Sequence, residues 1–208
     1  MAIHLAILFR LRAGADREMF LRHAREVAAI PQVLRYVRNI VHADSALSHG
    51  WHAVDEAWVE ADAVDAVLAV PHDFAEWVLP LRANDHAVID GAPIGRDEVL
   101  PKRMTFWRRK TGMSHEDALA YWRHGHGPLA ASAPGVRRYV QSSIDAGNTA
   151  GVDGFAQIWL ESDTALGELV ASPLFRERIK PDEANFIDVG RSFTLAVREH
   201  REVWPGPG

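Results

Sequence analysis

The stretch IPQVLRYVRNI (residues 30–40) decides the fold, because it returns in the second half of the chain as APGVRRYVQSS (133–143). Two further segments repeat in the same order. AWVEADAV (57–64) aligns with IWLESDTA (158–165), and HAVIDG (86–91) aligns roughly with NFIDVG (185–190). Internal similarity of this kind is typical of a repeated structural unit. We therefore expect two copies of one unit, at residues 1–100 and 101–208.

Each copy predicts the order strand, helix, strand, strand, helix, strand. Asp16 and the pair Ser114 and Asp117 have the spacing of helix N-caps, so the first helix of each copy should begin there. Glycine turns at Gly14 and Gly112 precede these caps. The predicted strands are 3–11, 34–40 and 56–60 in the first copy and 104–109, 136–142 and 155–161 in the second. The second helices are expected at 62–68 and 163–170, each ending near a proline.

This β-α-β-β-α-β order is that of the ferredoxin-like fold, in which helices cover one face of an antiparallel sheet. The other sheet face stays bare and must be covered. A chain with two such units can cover each face with the other. We predict an α+β protein in which two tandem ferredoxin-like repeats form an intramolecular, pseudo-dimeric α/β barrel.

Composition excludes several classes of function. The 208 residues are 48% hydrophobic, carry a formal charge of -5 and include no cysteine. An acidic chain with scattered basic residues lacks the positive face that nucleic acid requires, and thiolate sites are impossible. No segment has the length of a membrane span or the pattern of a signal peptide. We expect a cytoplasmic protein with no membrane and no nucleic-acid partner.

The second half is similar to the EthD family, whose fold is the dimeric α/β barrel. The resemblance lies in FWRRKTGMSHEDALAYWRHGHGPLAASAPGVRRYVQ (106–141), DGFAQIWLESD (153–163) and DEANFID (182–188). It covers residues 102–200, while residues 1–100 look like a diverged copy without the Tyr-Trp or His-Gly-Pro-Leu residues. The resemblance implies a single-chain version of the family's dimer. It also implies chemistry of ether degradation, or dehydration and cyclisation of aromatic polyketides, on small apolar or aromatic substrates.

His126 is the residue that we expect to carry the chemistry. If Ser114 caps the helix, Leu119, Trp122 and His126 share one face, and His124 points away. Pro128 should stop or kink the helix just after His126, which would place the imidazole beside free carbonyls at a helix C-terminus. A histidine so placed can act as a general acid or base. Capping of the helix end is the competing interpretation. A metal site of His124 and His126 is less expected, because an H-x-H pair diverges on a helix.

The other candidate residues surround this histidine. Tyr121 could donate a phenolic proton, and a carboxylate from Glu183 or Asp182 could fix the imidazole tautomer. Arg108, Arg109 and Lys110 could attract an anionic substrate, although such a run is more often solvated. The aromatic residues expected to form core or cavity wall, and thus to bind substrate, are Trp107, Trp122, Tyr139 and Phe186.

Two alignments of the first half give different answers about a second site. An alignment from Gly14 with Gly112 puts Ala28 opposite His126, whereas an alignment back from the Arg-Tyr-Val strand puts His23 there. A deletion inside the helix would rotate its inward face, while one in the loop would not. We expect Ala28, and hence one competent site.

Three functions are compatible with these residues. The leading one is a cofactor-free enzyme of lyase type, a dehydratase or cyclase, in which His126 takes a proton next to a carbonyl and Tyr121 steadies the oxyanion. The second is a cofactor-independent oxygenase, and the third is an accessory protein that only binds a ligand.

No nucleotide or hydrolase motif is present. No metal or other cofactor is expected, although some barrels of this shape bind haem through a histidine. Pairing of the tandem unit into a homodimer stays open.

Overall fold

The computed structural model describes residues 2–42, 48–92, 94, 98–148 and 150–200. The chain forms two compact units, Met1–Asn84 with Val197–Gly208 and Asp85–Ala196. The sequence suggested a boundary near residue 100. The boundaries of the compact units fall inside two strands. The fourth and the eighth strand each begin in one unit and end in the other.

Eight strands lie within the described residues. They are β1 (Ile3–Leu11), β2 (Val33–Val41), β3 (Ala53–Val59), β4 (Ala75–Ile89), β5 (Pro101–Trp107), β6 (Val136–Ile144), β7 (Gly154–Leu160) and β8 (Phe193–His200). Their hydrogen-bonded order is β1-β3-β2-β8-β5-β7-β6-β4, a closed antiparallel barrel. The prediction of an α+β fold with a barrel is therefore confirmed.

The helices follow the expected order. They are α1 (Arg17–Ala28), α2 (Val64–Leu68), α3 (His115–Tyr121), α4 (Gly127–Ala131), α5 (Asp163–Ala171) and α6 (Lys180–Glu183). Short 3₁₀ turns lie at Ala61–Ala63 and Val189–Arg191, and π-turns lie at Trp122–His126 and Phe175–Ile179. In the part of the chain that the structure describes, no helix has the length and apolar character needed to cross a membrane.

The predicted helix starts are confirmed, and so are the ends of the second helices. Asp16 accepts a hydrogen bond from the Glu18 amide, and Ser114 accepts one from the Asp117 amide. Each cap satisfies an N–H group that the first helical turn leaves without a partner. The second helices end at Leu68 and Ala171, ahead of the prolines at 71 and 173.

The repeat between HAVIDG and NFIDVG does not hold in the structure. HAVIDG lies at the end of β4, whereas NFIDVG precedes the last strand. Ile187 forms only an isolated bridge with Arg109. Asp188 then accepts hydrogen bonds from Arg191, through both its carboxylate and its backbone carbonyl, which turns the chain before β8 begins.

The helix does not stop after His126, although a π-turn interrupts its regular hydrogen bonding there. α3, the π-turn Trp122–His126 and α4 are consecutive, and the helix reaches Ala131. Pro128 has no N–H to donate to a carbonyl in the preceding turn. The helix accommodates this by widening, so that the Gly127 amide bonds the carbonyl of Trp122, five residues back. Pro181 follows the second π-turn in the same way.

A buried ion pair organises the first unit. In β2 and β3, Arg38 lies opposite Asp55, and its guanidinium donates to both carboxylate oxygens at 2.7 Å. The Tyr36 hydroxyl donates to the same carboxylate, and Arg38 also donates to the carbonyl of Phe20 in α1. Burial alone would raise the pKa of Asp55, but the Arg38 charge and hydrogen bonds outweigh it and lower the pKa to about 2. The sheet is thereby tied to α1.

We expect Asp55→Asn to lower the free energy of unfolding by about 3–5 kcal/mol, because it leaves the buried Arg38 charge without its partner. Asp65→Asn, at an exposed carboxylate, should change it by less than about 0.5 kcal/mol. Urea titrations measure both.

The same pair should make stability depend on pH. The folded pKa of Asp55, about 2, lies below the ordinary value of 3.8. Its contribution, about 2 kcal/mol, is therefore complete above about pH 4 and is lost as the pH falls toward 2. Urea titrations across this range should show the loss in the native protein and a smaller one in Asp55→Asn. Equal losses would contradict the assignment.

Candidate active site

His126 lies in the π-turn of the second unit with its ring turned inward. Its residue surface is 7% exposed, and His124 beside it is exposed. Nδ1 lies 2.9 Å from Oδ2 of Asp182. No hydrogen bond to Nε2 occurs among the residues that the structure describes. One ring nitrogen is therefore held by Asp182, and the other has no protein hydrogen-bond partner in this part of the chain.

Asp182 gathers three donors onto its carboxylate. The Tyr121 hydroxyl donates to Oδ1 at 2.6 Å, and the Asn185 amide donates to Oδ1 and to the Tyr121 oxygen, each at 2.9 Å. Burial alone would raise the pKa of Asp182, but hydrogen bonds from Tyr121, His126 and Asn185 hold the pKa below its ordinary value. The group is a carboxylate at neutral pH.

This carboxylate determines the tautomer of the histidine. An ionised carboxylate only accepts hydrogen bonds, so Nδ1 of His126 carries the proton. A neutral ring then has its lone pair on Nε2. The arrangement is that of a histidine base oriented by a carboxylate.

Tyr121 has a different role from the one that the sequence suggested. Its hydrogen bond to Asp182 raises the pKa of the phenol, so the hydroxyl keeps its proton and donates it to the carboxylate. It cannot donate the same proton to a substrate oxygen. Tyr121 therefore positions Asp182.

Three of the four residues predicted as core or cavity wall, Trp107, Trp122 and Phe186, pack in one buried aromatic cluster. The ring of Phe186 contacts those of His126, Tyr121 and Trp107, with centroids 5.1, 5.6 and 5.3 Å apart. Trp107 in turn meets Trp122 edge to face at 4.9 Å. All four predicted wall residues are buried. Tyr139 lies in a neighbouring cluster, and its burial raises its pKa to about 12.

Gln141 was not expected to matter, yet it holds the π-turn against the sheet. Its amide donates to the carbonyl of Trp122 at 2.9 Å and to the Tyr139 hydroxyl at 3.1 Å. A Cβ on Gly127 would come to 2.9 Å from this amide, so a larger residue there would displace the Gln141 side chain. The sequence signal was weak, since a glutamine in a strand has no distinctive spacing.

Glu183 does not take the part proposed for it from the sequence. It forms an ion pair with Lys180 one helical turn away, and Asp182 is the carboxylate that meets His126. The sequence alone could not choose between Asp182 and Glu183. Neighbouring side chains on a helix point about 100° apart, so an uncertainty of one residue changes which acid faces His126.

The basic run 108–110 holds the segment that carries Asp182. The amide of Lys110 bonds the carbonyl of Phe186 at 2.7 Å, and the amide of Asp188 bonds the carbonyl of Arg108 at 2.8 Å. Arg109 pairs with Asp153, and Lys110 Nζ lies 3.2 Å from the Ala184 carbonyl. These residues also line a surface pocket of about 440 Å³. The run therefore has a structural part that the sequence did not reveal.

Two further pockets occur, lined by residues near His23 and near His115–His124. His126 lines none of these three. Within the described ranges, no cluster of three or more His, Asp and Glu side chains could hold a metal ion.

The first unit places His23, rather than Ala28, where the second unit places His126. Arg38 and Gln141 each lie two residues beyond the tyrosine of the Arg-Tyr-Val strand in their unit. Each donates to a carbonyl of the first helix of that unit: Arg38 to that of Phe20, and Gln141 to that of Trp122. His23 follows Phe20 by three residues, and His126 follows Trp122 by four. The extra residue is the one that a π-turn inserts. The expected equivalence of Ala28 is therefore wrong.

Comparison with known family models gives a match in the second half of the chain. Residues 110–190 match the model of the EthD domain. A search of curated proteins gives no match.

Solved structures of similar fold cover nearly the whole chain. An anthrone oxidase-like protein has a TM-score of 0.69 at 13% identity, over 96% of this chain and 91% of the other. A candidate monooxygenase from Lactobacillus acidophilus has a TM-score of 0.56 at 15% identity, over 95% and 93%. A variant of chlorite dismutase from Candidatus Nitrospira defluvii has a TM-score of 0.57 at 8% identity, over 94% and 90%. At these identities the likeness is one of fold.

Removal of the Tyr121 hydroxyl should raise the pKa of Asp182, because one of its three donors is lost. We expect Tyr121→Phe to show this rise in a carboxyl NMR titration. Tyr139→Phe is the matched control, since that hydroxyl lies on Gln141. An equal rise in both variants would argue against the hydrogen bond.

Proposed function

We propose that the EthD domain at residues 110–190 is the catalytic half of a cofactor-free enzyme that removes a proton from a small aromatic substrate. One observation carries the proposal. Asp182 holds Nδ1 of His126 at 2.9 Å, which leaves the basic lone pair on Nε2. The aromatic wall around Phe186 suits an apolar or aromatic ligand.

In the proposed reaction, Nε2 takes a proton from a carbon that a carbonyl group activates, either directly beside it or through an aromatic ring. The ring becomes an imidazolium, and Asp182 stabilises it through the hydrogen bond that already exists. Such a positioned base contributes about 10²–10⁴-fold to the rate. Tyr121 and Asn185 keep Asp182 ionised, so the base is set before the substrate arrives.

The enolate oxygen needs a donor, and Tyr121 cannot serve. The indole N–H of Trp107 is buried and has no hydrogen-bond partner in the described part of the chain. Its ring contacts Phe186, which also contacts the ring of His126. We assign Trp107 the oxyanion role, since a buried N–H favours an oxygen acceptor.

The carbanion can follow two routes from this common step. In the lyase route, a hydroxyl group on the adjacent carbon leaves with the proton from His126 as water. In the oxygenase route, the carbanion reduces O₂ to a bound peroxide, which then loses water. A methylene becomes a carbonyl, with one oxygen atom in the product and the other in water.

The oxygenase route is supported by the kinds of protein that share the fold, which include an anthrone oxidase-like protein and a candidate monooxygenase. The lyase route rests on the resemblance of the second half to the EthD family alone. Two further points belong to the proposal. The chain consists of two ferredoxin-like repeats of common origin, and two such chains can pair as a homodimer.

Loss of the imidazole should reduce turnover by about 10²-fold or more, because the positioned base is gone. We expect this of His126→Ala, with ligand binding retained in tryptophan fluorescence titrations. His124→Ala is the matched control on the same helix, and its turnover should equal that of the native protein. If His126→Ala alters affinity but no turnover exists to lose, the protein is a ligand-binding accessory.

Oxygen consumption separates the two routes. Anthrone, an aromatic ketone with an activated methylene, and an aromatic β-hydroxyketone serve as probes. An oxygenase should consume O₂ in equal amount to the ketone formed from anthrone and should stop without air. A lyase should dehydrate the β-hydroxyketone with or without air. An absorption spectrum of the purified protein with a haem band would contradict the cofactor-free proposal.

A further inference from the structure

The first unit contains a second buried histidine with its own polar partners. His23 lies in α1 and is 2% exposed. The rings of Phe9, His72 and Phe74 surround it at centroid distances of 5.4, 4.8 and 5.2 Å. Its ring is therefore held in place by packing as well as by hydrogen bonding.

Arg38 determines the tautomer of His23. Nη2 of Arg38 lies 3.2 Å from Nδ1 of His23 and 2.7 Å from Oδ2 of Asp55. A guanidinium only donates, so one N–H reaches the carboxylate and the other reaches a lone pair on Nδ1. The distance from Nδ1 to Asp55, 3.5 Å, is long for a hydrogen bond. A neutral ring of His23 therefore carries its proton on Nε2.

Nε2 of His23 is a buried donor without a hydrogen-bond partner among the residues that the structure describes. Leaving such a donor unsatisfied is costly, which favours any oxygen that can reach it. His23 also lines a pocket of about 180 Å³ whose apolar walls are Met19, Pro71 and Phe74. Since Nδ1 is committed to Arg38, Nε2–H is the polar group of the ring that has no protein partner in the described part of the chain.

The charges at this pocket indicate the kind of ligand. Arg22, Glu26 and Asp73 also line it, so two carboxylates outnumber one cation. Arg22 pairs with Glu26, so the carboxylate of Asp73 is left over and disfavours an anionic ligand. An uncharged molecule with a carbonyl oxygen and an apolar body matches both the donor and the walls.

We propose that the pocket at His23 is a second binding site, for a small uncharged carbonyl compound whose oxygen accepts the Nε2–H hydrogen bond. This site does not depend on the function proposed for His126. The two histidines occupy equivalent positions but carry their protons on opposite nitrogens. His126 presents a base, and His23 presents a donor, so the first unit binds where the second reacts.

The tautomers can be read by proton–nitrogen NMR of the imidazole rings in the whole protein, with His23→Gln and His126→Gln used to assign the signals. We expect the proton of His23 on Nε2 and that of His126 on Nδ1. Arg38→Met, which removes the donor to Nδ1, should abolish the Nε2 preference of His23. A proton on Nδ1 of His23 in the native protein would overturn the proposal.

Ligand binding is tested by titration with acetophenone, whose ring resembles that of ethylbenzene but which adds a carbonyl oxygen. Acetophenone should shift the His23 Nε2–H signal saturably and bind about tenfold more tightly than ethylbenzene at this site. His23→Phe should remove the difference between the two. Benzoate, the anionic counterpart, should bind more weakly than acetophenone.

The two proposals fail separately in this experiment. In His126→Ala, the His23 signal should still respond to acetophenone, whatever the outcome for turnover. If acetophenone leaves the His23 signal unchanged, water alone satisfies Nε2 and the second site does not exist. If benzoate binds more tightly, the site takes anions and the assignment of an uncharged ligand is wrong.

Discussion

The hydrogen bond between Nδ1 of His126 and Asp182 is the constraint on which the candidate site depends. It joins a helix in the first part of the second unit to a short helix near its end. His126 lies in a π-turn, and Asp182 lies just after another. A proline lies two residues beyond the end of each π-turn. A π-turn shifts the inward face of a helix by one residue. These turns therefore aim the two side chains at each other, and the basic run 108–110 holds the Asp182 segment in reach.

The carboxylate does more than hold the ring. Because Tyr121 and Asn185 donate to it, Asp182 remains ionised and can only accept from His126. The proton on Nδ1 then leaves Nε2 basic. The chemistry proposed for the site thus follows from a network of four side chains, in which the histidine is the member proposed to meet the substrate.

The first unit shows how a single partner changes that chemistry. Its histidine, His23, also lies near a carboxylate, but Arg38 stands between His23 and Asp55 and occupies Nδ1. A donor in place of an acceptor moves the ring proton to Nε2. Two equivalent histidines can therefore serve as base and as hydrogen-bond donor in one chain.

The sequence by itself determined the order of strands and helices, the caps at Asp16 and Ser114, and the inward direction of His126. These features depend on local patterns of apolar residues and on capping groups, which act within a few residues. The resemblance of the second half to the EthD family was likewise carried by contiguous motifs. The aromatic residues around the site were found for the same reason, since large apolar side chains are buried wherever they occur.

Only the tertiary structure decided which partners these residues meet. The helix passes through Pro128 because a π-turn accommodates the missing N–H, a compensation that the sequence does not reveal. Asp182 rather than Glu183 reaches the imidazole, and Tyr121 is bound to that carboxylate. The match of His23 with His126 depended on a difference in helix length. The first helix of the second unit, His115–Ala131, is five residues longer than Arg17–Ala28 and contains a π-turn. In each case a rotation or shift of one residue changes the partner, and local patterns do not resolve a single residue across the fold.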